Sequence, residues 1–353
     1  MSNKKILDPK TFGHWGYLAV EKHFQKILKH EIEVLKDKDP EELHQMRVGM
    51  RRLRTAVTGF EEAILLPKAA QEKKIATVAR RLGELRDLDV LQDTLKNQYL
   101  PGLPIPEQDL LKKVLATLKK RRHKSLEEVQ TTLKHSNYNS LKQALQNWLK
   151  QPHYRLLAEG AIEDILPDLL LPLVSKLLLH PAWLVGVKLE AGKIDIPSDL
   201  NSEIVAHLLD THGESLHHLR KQAKGLRYQM ELFTDFYGST YKDYVKDIKA
   251  IQRIVGEIQD SFVLAAFLTD TLKSNLSGKM PTLAAQLTET RYKSWQEWQI
   301  LQQRYLNPQI RIDFHQTLLK PVPLVSQPEP LSEQLVQNDQ LSLRNSELLL
   351  AQP

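Results

Sequence analysis

The chain has no cysteine, so disulfides and thiolate metal sites are excluded, and so is every zinc finger built on Cys ligands. Glycine is sparse at 14 of 353 residues, and Phe, Trp and Tyr together make up only 7%. Both shortages favour helices over strands. No segment is long and apolar enough to span a bilayer. The most apolar run, ILPDLLLPLVSKLLL at 165–179, has 15 residues, contains Asp168, Lys176 and two prolines, and reads as a buried helix. The opening MSNKKILDPK has no apolar signal core, which makes a cytoplasmic location and no membrane partner the expectation. Familiar catalytic signatures are missing too: there is no GxxxxGKS/T, no GxGxxG after a strand, no GxSxG and no HExxH. Aromatic residues do not line up as an RNA-stacking platform.

Cations are what the chain does have. Formal net charge is +6, and the last 33 residues carry −3, which leaves about +9 for everything before them. A basic body of this size suggests an anionic partner. The tail from residue 320 onward is rich in Pro, Gln and Ser, lacks aromatic residues, and is expected to be disordered.

Apolar spacing is helical almost throughout. Leu43, Met46, Met50, Leu53, Val57 and Phe60 follow i, i+3, i+7, i+10, i+14 and i+17, the seam of an amphipathic helix. Leu216, Leu219, Ala223, Leu226, Met230 and Phe233 repeat it 173 residues later. At the same offset KIATVARRLGELRDLDVL (74–91) aligns with DIKAIQRIVGEIQDSFVL (247–264), and RHKSLEEVQ (122–130) then matches RYKSWQEWQ (291–299) after a small length change. Three segments in the same order indicate an internal duplication. Half one is expected to hold helices at about 12–36, 41–66, 70–97, 107–135 and 138–150. Half two is expected to hold them at about 158–181, 202–237, 241–274, 280–306 and 309–319. Short links between long amphipathic helices favour bundles. The expected fold is therefore all-α, two four-helix bundles related by pseudo-two-fold symmetry, over residues 1–319.

One residue after each of the first four seam positions stands a histidine or a cation. His44, Arg47, Arg51 and Arg54 form a stripe about 100° around the helix from the seam, and His217, Arg220, Lys224 and Arg227 form its mate. Each stripe is roughly 15 Å long. Arg52 and Lys221 flank the stripes. Arg80 with its mate Arg253, and Arg122 and Lys124 with their mates Arg291 and Lys293, are the other repeated cations and join the candidate anion site. The first stripe has no acid at i+4 to satisfy it. On the next helix, Glu84, Asp87, Glu257 and Asp260 are placed to pair with the arginines. Four carboxylates on facing helices also suggest a dinuclear metal bundle. Such bundles use Glu-x-x-His, and no His follows Glu84 or Glu257 at that spacing, so neither cofactor nor metal is expected. Gly83 and Gly256 are read as sites of close helix packing.

LHQMRVGMRRLR (43–54) with RRLGELRDLDVL, and LHHLRKQAKGLRYQMELF in half two, resemble the CHAD domain, the conserved histidine α-helical domain. The resemblance covers roughly residues 12–319. It implies two four-helix bundles, with inorganic polyphosphate bound in a basic groove between them. It further implies association with polyphosphate granules in some members. The trough of cations offers no positioned nucleophile or general base, so binding without turnover is the expectation. The chain departs from a symmetric pattern where Lys224 and Gly225 stand against Arg51 and Arg52. Two alternatives are carried beside it. One is a nucleic-acid-binding protein using the same cations, disfavoured by the few aromatics among them. The other is a Mg-dependent phosphoanhydride hydrolase built on the Glu and Asp pairs.

Overall fold

The computed structural model describes residues 7–197 and 199–322. The expected disorder of the tail concerns residues that lie almost wholly outside these. Among the described residues there are eleven helices. They are α1 (Phe12–Lys36), α2 (Pro40–Gly59), α3 (Glu72–Asp93), α4 (Ile105–Lys134), α5 (Ser136–Lys150), α6 (Ile162–Leu178), α7 (Ser202–Leu232), α8 (Ser239–Leu272), α9 (Leu276–Lys279), α10 (Pro281–Leu306) and α11 (Pro308–Leu318). One small antiparallel hairpin, β1 (Lys188–Glu190) and β2 (Lys193–Asp195), joins α6 to α7. The protein is all-α in class. No described helix is long and apolar enough to cross a membrane.

Local chemistry explains the helix ends. Asp39 caps α2 by accepting from the Glu41 N–H at 2.8 Å, Pro40 occupies the first turn, and Glu41 and Glu42 face the positive end of the helix dipole. Asn201 caps α7 in the same way through the Ile204 N–H. Helix α2 was expected to reach residue 66 but ends at Gly59. A Cβ there would lie 2.6 Å from Gln229 Oε1 and 3.1 Å from Leu232 Cδ2 on α7, so the two helices approach closely at this glycine and a larger residue would have to displace the ends of those side chains. Helix α7 likewise ends at Leu232, short of the expected 237. The hairpin was not expected. It forms where Ala191 (φ 47°) and Gly192 (φ 78°) supply the two left-handed residues of a tight turn.

Both seams are buried along their whole length. Helices α1 to α4 pack as successive neighbours, as do α6, α7, α8 and α10, with α11 laid across α6, α8 and α10. Contact between the two series includes two places that concern the site and the core. At the first, α2 meets α7 and the rings of Phe60 and Phe233, residues at the 173-residue offset, pack edge to face at 5.5 Å. Phe12 abuts Phe60 at 5.0 Å, and Trp15 packs on Phe236 at 4.9 Å. At the second, Leu95, Tyr99, Leu111, Val114 and Leu118 share one apolar cluster with Leu264, Leu268, Met280, Leu283 and Leu287. There the buried Glu107 of α4 accepts from the Thr282 and Leu283 N–H groups at 3.0 and 3.1 Å. A carboxylate at the N-terminus of α10 is favoured by the exposed N–H groups and the helix dipole.

Candidate functional site

The crossing of α2 and α7 brings the two basic stripes together. Arg51 of α2 lies over the ring of Tyr228 on α7 at 4.5 Å, and Arg227 approaches the same ring at 4.9 Å. The Lys224 ammonium is held below its ordinary pKa by burial, then by the positive charges of Arg47, Arg220 and Arg51. The Arg51 guanidinium is lowered by burial and by Arg227, Arg47 and Arg52, against a raising influence from Tyr228. Cations from two helices thus crowd one place, with like charges as neighbours. That arrangement raises the free energy of the empty protein and favours any anion that enters.

The floor of this place is built by α3 and α8. Arg47 reaches Asp87 at 3.4 Å, and Arg220 reaches Asp260 at 3.2 Å, so the same pairing recurs at the 173-residue offset. Gly256 makes room for it: a Cβ there would stand 3.1 Å from Arg220 Nε, whereas one at Gly83 would meet Arg47 Nε at an ordinary 3.6 Å. Gly256 thus lets the Arg220 side chain lie across the helix, a use beyond the close helix packing first expected of both glycines. Asp260 is raised above the ordinary carboxylate range by its recessed position and by Asp87 and Glu257, with Arg220 opposing. Its side chain is 68% exposed, which keeps that effect modest.

Glu84 and Glu257 do not join the floor as expected. Glu84 pairs with Arg81 at 2.8 Å, and Glu257 pairs with Arg253 at 2.8 Å and accepts from Ser294 at 3.0 Å. Each turns along its own helix toward the next helix of its own series, because Glu128 and Glu297 there share the same arginine. The four carboxylates are therefore not gathered, and no group of three His, Asp or Glu that could hold a metal occurs among the described residues.

His44 and His217 head the stripes. Both are held below the ordinary histidine value: His44 by burial and by Arg86, Arg47 and Arg51, with Glu41 opposing, and His217 by burial and by Lys221, Arg220 and His218, with Asp260 opposing. Three polar nitrogens on the stripes, Arg51 Nε, His217 Nδ1 and Arg220 Nε, are buried without a hydrogen-bond partner. Such groups are uncommon and costly, and here they cluster beside the cations.

The remaining candidates are placed differently. Arg54 is tied to Glu72, and Arg227 to Glu231 at 2.9 Å. Arg52 is half-buried on α2, and Lys221 and Arg80 are exposed. Arg253 is committed to Glu257 and Glu297 between α8 and α10. Lys124 lines a shallow recess with Arg81, Glu127 and Glu128, and Lys293 pairs with Glu289 at 3.3 Å. Arg122 is the clearest departure. It donates to both oxygens of Asp37 at 2.7 Å and to Asp89 at 2.6 Å, so its donors are spent on joining α4 to α1 and α3. Arg291 makes no such pair. It bonds the Ser261 and Thr288 hydroxyls and stacks on Phe262 at 4.6 Å. Two participants escaped the sequence reading, Arg86 beside His44 and Tyr228 beneath the arginines. Their counterparts in the other half are Gln259 and Thr55, so a search for repeated cations passes over them.

The sequence matches the family model of the CHAD domain over residues 18–269. The chain belongs to the CHAD-domain family. The fold of this CHAD protein is similar to that of the crystal structure of the CHAD domain from the plant Ricinus communis. The TM-score is 0.55 at 23% identity, covering 90% of this chain and 94% of that one. It is also similar to PptA from Streptomyces chartreusis, with a TM-score of 0.55 at 14% identity, covering 88% of this chain and 100% of that one. At these identities the likeness speaks for the fold alone. Direct comparison with curated protein sequences gives no match.

Proposed function

We propose that this CHAD protein binds inorganic polyphosphate, without hydrolysing it, along the two basic stripes where α2 crosses α7. Some members of the family bind polyphosphate, and this chain's own residues supply the physical reason to extend that to it. The observation that carries the reading is the meeting of cations from two helices: Arg51 of α2 lies over Tyr228 of α7 at 4.5 Å, Arg227 approaches the same ring at 4.9 Å, and the exposed Lys224 of α7 feels the charges of Arg47, Arg51 and Arg220. A row of cations suits a linear polyanion, with guanidinium forks taking two phosphate oxygens each and the ammonium acting as a point charge. Asp87 and Asp260 hold Arg47 and Arg220 in place while leaving the other cations uncommitted to them.

Nucleic acid fits less well. The one aromatic ring among the stripes, Tyr228, already lies against Arg51 and Arg227, so its face is not open to a base. A hydrolase needs a positioned base or metal, and Glu84 and Glu257 are occupied by arginines instead. The deciding experiment is a competition titration at fixed salt, with labelled polyphosphate displaced by unlabelled polyphosphate or by single- and double-stranded DNA and RNA. Polyphosphate should compete far better than any nucleic acid. Equal competition by RNA or DNA at matched phosphate concentration would overturn the assignment.

A further inference from the structure

Arg122 and Arg291 occupy matching positions in RHKSLEEVQ and RYKSWQEWQ, yet their surroundings have diverged. Arg122 is neutralised twice, by Asp37 and by Asp89. The residue matching Asp89 at the 173-residue offset is Phe262, and Arg291 stacks on that ring at 4.6 Å in place of a carboxylate. The residue matching Asp37 is Asp210, which acts on Arg291 through its charge but forms no ion pair with it. Among the described residues no carboxylate pairs with Arg291. Its two bonds run to neutral hydroxyls, Ser261 at 3.2 Å and Thr288 at 3.0 Å. Burial lowers its pKa, whereas the carboxylates of Asp37 and Asp89 raise that of Arg122. Where the first half has an acid the second has a ring, and Arg291 is left without the carboxylate partners that neutralise Arg122.

Its position gives that cation a use. Asp210, whose charge acts on Arg291, lies on α7 seven residues before His217 on the same side of the helix, roughly 10 Å beyond the head of the α7 stripe, and Arg291 donates to Ser261, the residue after the Asp260 that pairs with Arg220. Tyr99 closes the place from the other series. It ends a turn at residues 94–99 whose hydrogen bonds are wider than those of an α-helix, and its hydroxyl feels Thr290 and the charge of Arg291. Wide turns of this kind are frequent at functional sites.

Resting on the polyphosphate reading, we propose that Arg291, with Thr288, Ser261 and Tyr99 around it, is an additional phosphate contact at one end of the stripes, present in half two only. The binding site is then longer at the α7 end than at the α2 end. A long polyanion reaches Arg291, whereas a short one held among Arg47, Arg51 and Lys224 does not.

The test uses the full chain, with long-chain polyphosphate and tripolyphosphate as probes, each titrated at several salt concentrations. R291Q should weaken long-chain binding by about tenfold, the worth of one charge-assisted contact. It should lower the slope of log affinity against log salt by about one, with tripolyphosphate binding unchanged. F262D, which rebuilds the carboxylate found at Asp89, should have the same effect while Arg291 is still present. Long-chain affinity and slope unchanged in R291Q would overturn the proposal. So would an equal loss for tripolyphosphate, which would place Arg291 within the central cluster. If F262D does not fold, R291Q decides alone. A double variant, Arg47→Ala with Arg51→Ala, separates the two readings. Loss of binding there with none in R291Q defeats only the Arg291 assignment, whereas full binding there defeats the placement of polyphosphate along the two stripes, on which the Arg291 proposal rests.

Discussion

Arg51→Ala removes a guanidinium that is partly buried, lies 4.5 Å from the centre of the Tyr228 ring, and is crowded by Arg47, Arg52 and Arg227. The loss of the cation–π contact costs the empty protein about 0.5–1 kcal/mol. Relief of desolvation and of like-charge crowding offsets it, so the net change in stability is small, no more than about 2–4 °C in Tm. Binding responds differently, because a charge-assisted contact to phosphate is worth about 1.5–3 kcal/mol, which is about 10–150-fold in Kd. Arg122→Ala should behave in the opposite way. It strands Asp37 and Asp89, the latter with a side chain only 10% exposed, and should cost roughly 1.5–3 kcal/mol of stability with affinity nearly unchanged. Thermal unfolding without ligand and a polyphosphate titration, run on both variants, give four numbers. If Arg51→Ala lowers Tm sharply while its folded fraction binds normally, the stripe is a structural element and the functional reasoning fails.

Four further outcomes follow from the same structure. Polyphosphate affinity should rise as pH falls from about 8 through the ordinary histidine value near 6.5: His44 and His217 are held neutral in the free protein, and a bound polyanion favours their charged form. The free protein should lose stability over that same fall, because a histidine with a depressed folded pKa takes its proton more readily when unfolded; a pH-independent affinity, unaltered by replacing both histidines with glutamine, would defeat the account. Gly256→Ala should gain up to about 1 kcal/mol of helix stability but displace Arg220 and weaken binding, whereas Gly83→Ala, with its nearest neighbour at 3.6 Å, should gain stability without that loss; identical behaviour in the two variants would count against the room-making role. Phe60→Ala, emptying the contact with Phe233 and Phe12, should cost about 3–5 kcal/mol in denaturant unfolding, and a cost below about 1 kcal/mol would mean that the α2–α7 crossing does not depend on those rings. Purified protein with Mg²⁺ or Mn²⁺ should leave polyphosphate uncut on a gel, and cutting that vanishes on Glu84→Gln or Glu257→Gln would establish the hydrolase alternative.

The all-α class, the helix positions and the buried seams were legible in the sequence, because helical periodicity is a local property. Leu43 to Phe60 carries it in its spacing, and its mate carries it again 173 residues later. Repetition also marks His44, Arg47, Arg51 and Arg54 with His217, Arg220, Lys224 and Arg227 as one candidate set in the sequence. What each cation is free to do was decided by tertiary contacts. Arg122 and Arg291 read alike in their matching segments, and only the packing of α3 and α8 sets Asp89 against one and Phe262 against the other. Glu84 and Asp87 share a helix face, yet one turns to Arg81 and the other to Arg47, a choice made by which helix lies on each side. The crossing that lets Lys224 feel Arg47 and Arg51 depends on Gly59 meeting Gln229 and on Phe60 meeting Phe233. Periodicity fixes which face of a helix is apolar and which is charged. Which charged face meets which neighbour is a long-range matter of packing, and it decided which of the repeated cations stand together beside the crossing of α2 and α7.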